Sequence, residues 1–133
     1  MRIDPGVTFT MTGRTQNEGS ISVYGDARFT MEGKAKNNAI LRLYETGSDS
    51  RIVFGGHADS SGTIEIAQSQ EGAPVRVEDS ARIRLLSSPM SCRITLTVKD
   101  DAVVEEVSGV SLSELNLSGN AKLGSKNSSI ELQ

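Results

Sequence analysis

Tryptophan is absent from this 133-residue chain, and three Phe and two Tyr are its only aromatic side chains. A core with so few large rings is thin, and Ile, Val and Leu must fill it. The single cysteine, Cys92, excludes an internal disulfide framework and a thiolate metal cluster, leaving the role of a small buried apolar residue. Long hydrophobic runs are missing too. No stretch approaches the roughly 18 apolar residues of a membrane span, and no signal-peptide core precedes the first strand-like segment, so membrane insertion is not expected. An excess of positive charge is also lacking. Lys and Arg number 14 against 17 Asp and Glu, for a net charge of −3, and the two signs are interspersed. No basic stripe exists to neutralise a run of phosphates, which argues against nucleic acid as a partner.

What is present is glycine, at 13 residues, together with abundant Ser, Thr and Asn. With only 36% hydrophobic residues, this composition describes many turns around a slender core. The length suits one domain, residues 1–133, standing alone or cut from something longer.

Val7, Phe9 and Met11 alternate with Thr8, Thr10 and Thr12, the period of two that a strand with one buried and one wet face produces. Further runs occur at Ile21/Val23, Phe29/Met31, Leu41/Leu43, Ile52/Phe54, Ile64/Ile66, Val75/Val77, Ile83/Leu85, Ile94/Leu96/Val98, Leu115/Leu117 and Ile130/Leu132. Between them lies turn chemistry such as Gly25-Asp26, Gly55-Gly56-His57 and Ser118-Gly119-Asn120. One helical turn is expected from Asp100 to Val107, with Asp100 or Asp101 as its cap.

The runs recur about every twenty residues, with two strands per repeat. One series is Ile21, Leu41, Ile64, Ile83, Val104 and Leu123; the other is Phe9, Phe29, Ile52, Val75, Ile94, Leu115 and Ile130. Arg42, Glu65, Arg84 and Glu105 each follow a member of the first series. Stacked coils would therefore form a ladder of alternating charge, with Arg84 between Glu65 and Glu105.

These features predict an all-β fold, a parallel β-helix or solenoid of about six coils with a repeat near 20 residues. The alternative is an antiparallel β-sandwich. The repeat relates alternate strands, as one coil lying on the next requires, and the Asn-Gly and Asp-Gly hairpin signals are absent. Across Gly19 to Leu123 the chain resembles right-handed parallel β-helix proteins, a group that includes pectate-lyase-like enzymes, autotransporter passengers and phage tailspikes. It is also similar in length to bactofilins, polymer-forming bacterial β-helices, although their tighter glycine-rich repeat is not matched. The resemblance rests on periodicity and turn chemistry, so it transfers no functional residue.

Residue chemistry converges nowhere in the sequence. His57, the one histidine, has no second His or Cys partner for a metal and reads as a solvated loop residue. Asp100-Asp101 and Glu105-Glu106 invite a glycosidase reading, but neighbours in a strand point to opposite faces, so neither pair converges by spacing. The Thr-x-Thr segments at Thr8–Thr12 and Thr95–Thr97 resemble ice-binding ladders in two repeats only, with Arg42, Arg76 and Arg84 in related outward positions. No catalytic, metal-binding or cofactor-binding residue is assigned.

The leading expectation is a non-catalytic structural or binding module that presents loops and a charged sheet face to a protein or polysaccharide partner. An alternative is a polysaccharide-binding or polysaccharide-cleaving β-helix, for which Tyr24 and Tyr44 are the exposed-aromatic candidates. A further alternative is a self-assembling scaffold. A homo-oligomer, or membership of a longer chain, is expected because a solenoid leaves strand edges open at its ends, where Pro5 blunts one and Ser129–Leu132 still reads as strand.

Overall fold

The computed structural model describes residues 1–44, 49–67, 73–88, 93–124 and 131–132. The first two coils contain β1 (Arg2–Ile3), β2 (Thr8–Met11), β3 (Gln16–Asn17), β4 (Ser20–Tyr24), β5 (Arg28–Met31), β6 (Lys36–Asn37) and β7 (Ile40–Tyr44). The middle of the chain contributes β8 (Arg51–Phe54), β9 (Asp59–Ile66), β10 (Ala73–Val77) and β11 (Arg82–Ser87). The last strands are β12 (Arg93–Val98), β13 (Val103–Val104), β14 (Val107–Ser108), β15 (Ser111–Leu117), β16 (Lys122–Leu123) and β17 (Glu131–Leu132).

Every described pairing is parallel and joins one coil to the next, so the chain is a parallel β-solenoid and not a sandwich. Among the described residues one sheet stacks β1, β4, β7, β9, β11, β13 and β16, and the other stacks β2, β5, β8, β10, β12, β15 and β17. Seven strands per stack agree with the expectation of about six coils. The expected helix at Asp100–Val107 does not form. Asp100 and Asp101 make a turn into β13, and β14 comes next at Val107. The β-branched Val103, Val104 and Val107 fit a pleated surface better than a short exposed helical turn.

The two sheets enclose stacked columns, one per inward position and most of them apolar. Phe9, Phe29, Ile52, Val75, Leu96 and Leu115 lie side by side in successive coils. The Phe9 and Phe29 rings stack at 5.9 Å between centroids, and Phe54 tilts against Phe29 at 6.3 Å. From Val75 onward the sequence series departs from the structure. Val75 pairs with Leu96, while Ile94 pairs with Ala73 and Leu112. Ile130, the last member of that series, lies outside the described residues, as does Cys92.

The first series crosses between two columns. Ile21, Leu41 and Ile64 continue to Leu86 and Val107, whereas Ile83, Val104 and Leu123 continue a column that begins Asn17, Asn37 and Ser60. The switch occurs at β9. Coils one and two use two separate strands, β3 with β4 and β6 with β7, and coil three fuses their equivalents into one eight-residue strand. A bulge in β9 places Ser61 and Gly62 opposite the single Arg84. A Cβ at Gly62 would sit 2.0 Å from the Ala39 carbonyl oxygen, so the bulge requires glycine there.

Candidate functional site

The turn that leaves the second sheet repeats once per coil and stacks with its copies. Its first residues are Gly13, Gly33, Gly56, Asp79, Asp100 and Gly119, all at φ between 58° and 66°. The residue after each donates its N–H to the carbonyl of the turn residue one coil earlier: Lys34 to Gly13, His57 to Gly33, Ser80 to Gly56, Asp101 to Asp79 and Asn120 to Asp100, at 2.7–2.9 Å. Positive φ favours glycine, and Asp is among the few other residues that tolerate it.

At Asp79 and Asp100 the side chain does more than tolerate the conformation. The Asp79 carboxylate accepts the Gly56 N–H at 2.8 Å, and the Asp100 carboxylate accepts the Asp79 N–H at 3.1 Å. Each aspartate thus caps the corner amide of the coil before it. The equivalent amides of Gly13 and Gly33 have no acceptor among the described residues, because the next coil offers Gly33 and Gly56 there, which carry no side chain.

Those two coils carry cations instead. Arg14 and Lys34 come directly after the corner glycines, and Lys36 begins β6, in register with Gln16 of β3. Arg14, Gln16, Lys34 and Lys36 line an open concavity of about 260 Å³ that no carboxylate lines. All four side chains are exposed, and none of the three cations makes an ion pair or side-chain hydrogen bond with a described residue. Along the same corner column the side chains after the turn residue run Arg14, Lys34, His57, Ser80, Asp101 and Asn120, so the two cations belong to the first two coils and the one acid to the fifth.

Other charged groups hold coils together. Arg42 pairs with Glu65 at 3.4 Å, the one rung of the expected charge ladder that forms. Arg84 does not lie between Glu65 and Glu105. It donates to the bulge carbonyls of Ser61 at 2.7 Å and Gly62 at 3.4 Å, while Glu65 pairs in register with Ser87 and Glu105 is bound by Arg82. Glu78 is shared by Arg76 and Lys99.

The residues weighed for chemistry have structural surroundings. His57 is exposed at the corner, next to the positive-φ Gly56. Asp100 caps a backbone amide, Asp101 accepts from Asn120 at 3.0 Å, and Glu105 binds Arg82. The outward column Thr10, Thr30, Val53, Arg76, Thr97 and Asn116 is too mixed to form a threonine face. Tyr24 and Tyr44 stack at 4.9 Å, and the Arg2 guanidinium lies 4.2 Å from the Tyr24 centroid. Asp4 binds Arg2 at 2.6 Å, and that hydrogen bond raises the guanidinium's pKa. Among the described residues no three His, Cys, Asp or Glu side chains gather in a group able to hold a metal ion.

The corner cations escape a reading of the repeat through its apolar residues. The recurring pairs Gly13-Arg14 and Gly33-Lys34, one coil apart in equivalent turns, carry the signal. The fold and its corner define the chain as a parallel β-solenoid with cations at the corner of its first two coils. No family model, curated protein or solved structure matches it.

Proposed function

We propose that the chain is a non-catalytic structural or binding module, a stiff stack of parallel coils that holds a partner on its charged surface. One observation carries this reading. Asp79, Asp100, Arg42, Glu65, Arg82 and Glu105 are used in coil-to-coil bonds, whereas Arg14, Lys34 and Lys36 surround one open concavity with no bonding partner among the described residues. Exposed cations held at fixed spacing by a rigid backbone suit recognition of an anionic partner. The test is to incubate the protein with polysaccharide and peptide panels and measure both retention and new chain ends or released fragments. Retention without product is expected, and turnover of any bound polymer would overturn the reading.

A second reading, self-assembly through the end coils, is favoured by where apolar surface is exposed. Met1, Val7 and Leu117 are 58%, 45% and 50% exposed and lie in the first and late coils. Phe9, Met11 and Ile21 line a cavity of about 230 Å³ at the first coil. Sedimentation velocity over a wide concentration range tests this, and a monomer throughout would remove it.

A further inference from the structure

The corner of the first two coils is an aspartate-shaped site whose aspartate is missing. In the middle coils the same corner supplies its own carboxylates: Asp79 sits on the Gly56 amide and Asp100 on the Asp79 amide. The backbone geometry that presents those amides repeats at Gly13 and Gly33, with φ of 65° at both against 59° at Gly56 and 58° at Asp79. The coil-to-coil hydrogen bond beside each corner is the same, 2.7 Å for Lys34 to Gly13 and 2.8 Å for Ser80 to Gly56. The difference lies in the neighbouring coil. Gly33 and Gly56, which stack on Gly13 and Gly33 in the column, have no side chain, and the amides of Gly13 and Gly33 have no acceptor among the described residues.

The surrounding charge matches an incoming carboxylate. Arg14, Lys34 and Lys36 line the adjoining concavity, with Gln16 as a neutral donor beside them. Lys34 and Lys36 lie two residues apart on one coil, and Arg14 is on the coil before. Lys36 has Asp59 as its register neighbour on the next coil, so three cations stand against one acid there. A carboxylate here would replace water on a backbone N–H and be charge-assisted by ammonium and guanidinium groups.

We infer that the Gly13/Gly33 corner binds an acidic polypeptide segment, whose Asp or Glu carboxylates take the places that Asp79 and Asp100 occupy one to three coils later. This rests on the proposed binding role and names the partner's chemistry. A peptide is favoured because the occupant of the equivalent position, in this same molecule, is an aspartate side chain. A segment with several acids is required because each exposed cation attracts a single carboxylate only weakly, and two equivalent amides on adjacent coils reward simultaneous engagement.

The test measures binding of the whole chain to poly-L-aspartate by calorimetry or fluorescence anisotropy at low and moderate salt, with polygalacturonate and single-stranded DNA of similar length in parallel. Poly-L-aspartate is expected to bind tightest, with affinity falling as salt rises. The triple substitution Arg14→Gln, Lys34→Gln, Lys36→Gln should weaken it by about tenfold or more. Removing three cations elsewhere, with Arg82→Gln, Lys99→Gln and Lys122→Gln, should change it by less than about threefold. The sharper variant is Gly56→Asp, which supplies the Gly33 amide with an internal carboxylate as Asp79 supplies Gly56, and so competes with the ligand. A Cβ at Gly56 would sit 2.7 Å from the Gly33 nitrogen, so the variant should lose some thermal stability; Gly56→Ala makes the same contact without a carboxylate, and Gly56→Asp should weaken binding more than Gly56→Ala does.

Absence of poly-L-aspartate binding, or equal binding by the triple corner variant, would overturn the site. Polygalacturonate or DNA binding as tight as poly-L-aspartate would overturn the assignment to an acidic polypeptide. A glycan or peptide retained by another surface would leave the binding module standing without this corner, whereas turnover of a bound polymer would remove the module reading itself.

Discussion

The first three coils and the later ones solve the same stacking problem with opposite chemistry. Inside, the column that contains Asn17, Asn37 and Ser60 in the early coils contains Ile83, Val104 and Leu123 in the later ones. Asn17 donates to Asn37 at 2.8 Å, and Asn37 donates to Ser60 at 3.1 Å and to the Thr63 carbonyl at 3.3 Å. These amides join neighbouring coils from within the core. At the corner the contrast is inverted: the first two coils have glycines followed by cations, and the fourth and fifth have aspartates that cap the preceding amide. In the early half polar bonding between coils thus reaches into this core column, beside surface pairs such as Asn38 with Glu18 and Ser61 with Asn38, whereas in the later half the same column is apolar. The early corner is left open to solvent and to partners.

The largest expected effect comes from moving the early chemistry into the later half. Val104, with no exposed surface between Ile83 and Leu123, has apolar register neighbours on both sides. Val104→Asn should cost about 3 to 5 kcal/mol, since it loses apolar burial and strands an amide. Chemical denaturation checks this, and a cost below that of Asn37→Ala would mean that the two halves tolerate polar groups alike.

The converse change, Asn37→Ala, removes a side chain that is 1% exposed and bonded to Asn17, Ser60 and the Thr63 carbonyl. A loss of about 2 to 3 kcal/mol is expected, mostly from the buried groups left without partners. Asn37→Asp at neutral pH should cost at least as much, because the carboxylate has no N–H to give to Ser60 or Thr63.

At the corner the effects are smaller and can be separated. Asp79→Ala loses the cap on Gly56 and leaves a non-glycine residue at φ 58°, for about 1 to 2 kcal/mol. Asp79→Gly loses the cap but relieves the backbone, so it should cost less than the alanine variant. An equal cost for both would show that conformation plays no part at this position.

The smallest effect concerns the outward charges. Arg42→Glu sets two carboxylates side by side and should lower stability by less than about 1 kcal/mol at low salt, with the effect fading as salt is added. Arg84→Gln removes hydrogen bonds to the β9 bulge and should be nearly insensitive to salt. Thermal melts at two ionic strengths decide, and a salt-sensitive Arg84 would restore the charge ladder that the register does not show.

Much of this architecture was legible because its causes are local. Period-two alternation at Phe9/Met11, Phe29/Met31 and Ile52/Phe54 states which face is buried, and the twenty-residue recurrence states that coils stack. The corner repeat was legible as well, in Gly13-Arg14, Gly33-Lys34 and Gly56-His57, although the apolar residues alone do not reveal it. Lateral register was not legible after Ile64, because Ser60 and Ile64 both face inward from one strand. Spacing alone cannot choose whether Ile83 stacks on one or the other.

By itself, then, the sequence determined an all-β chain of short stacked strands with a thin aliphatic core. Face alternation and turn propensity act over a few residues and are written directly in their order. Only the tertiary structure decided which residues share a column, that Arg84 holds a bulge, that Asp79 and Asp100 cap amides more than twenty residues away, and that Arg14, Lys34 and Lys36 meet around one concavity. Those outcomes depend on hydrogen bonds between coils, and one inserted residue in a bulge shifts every later contact on that sheet.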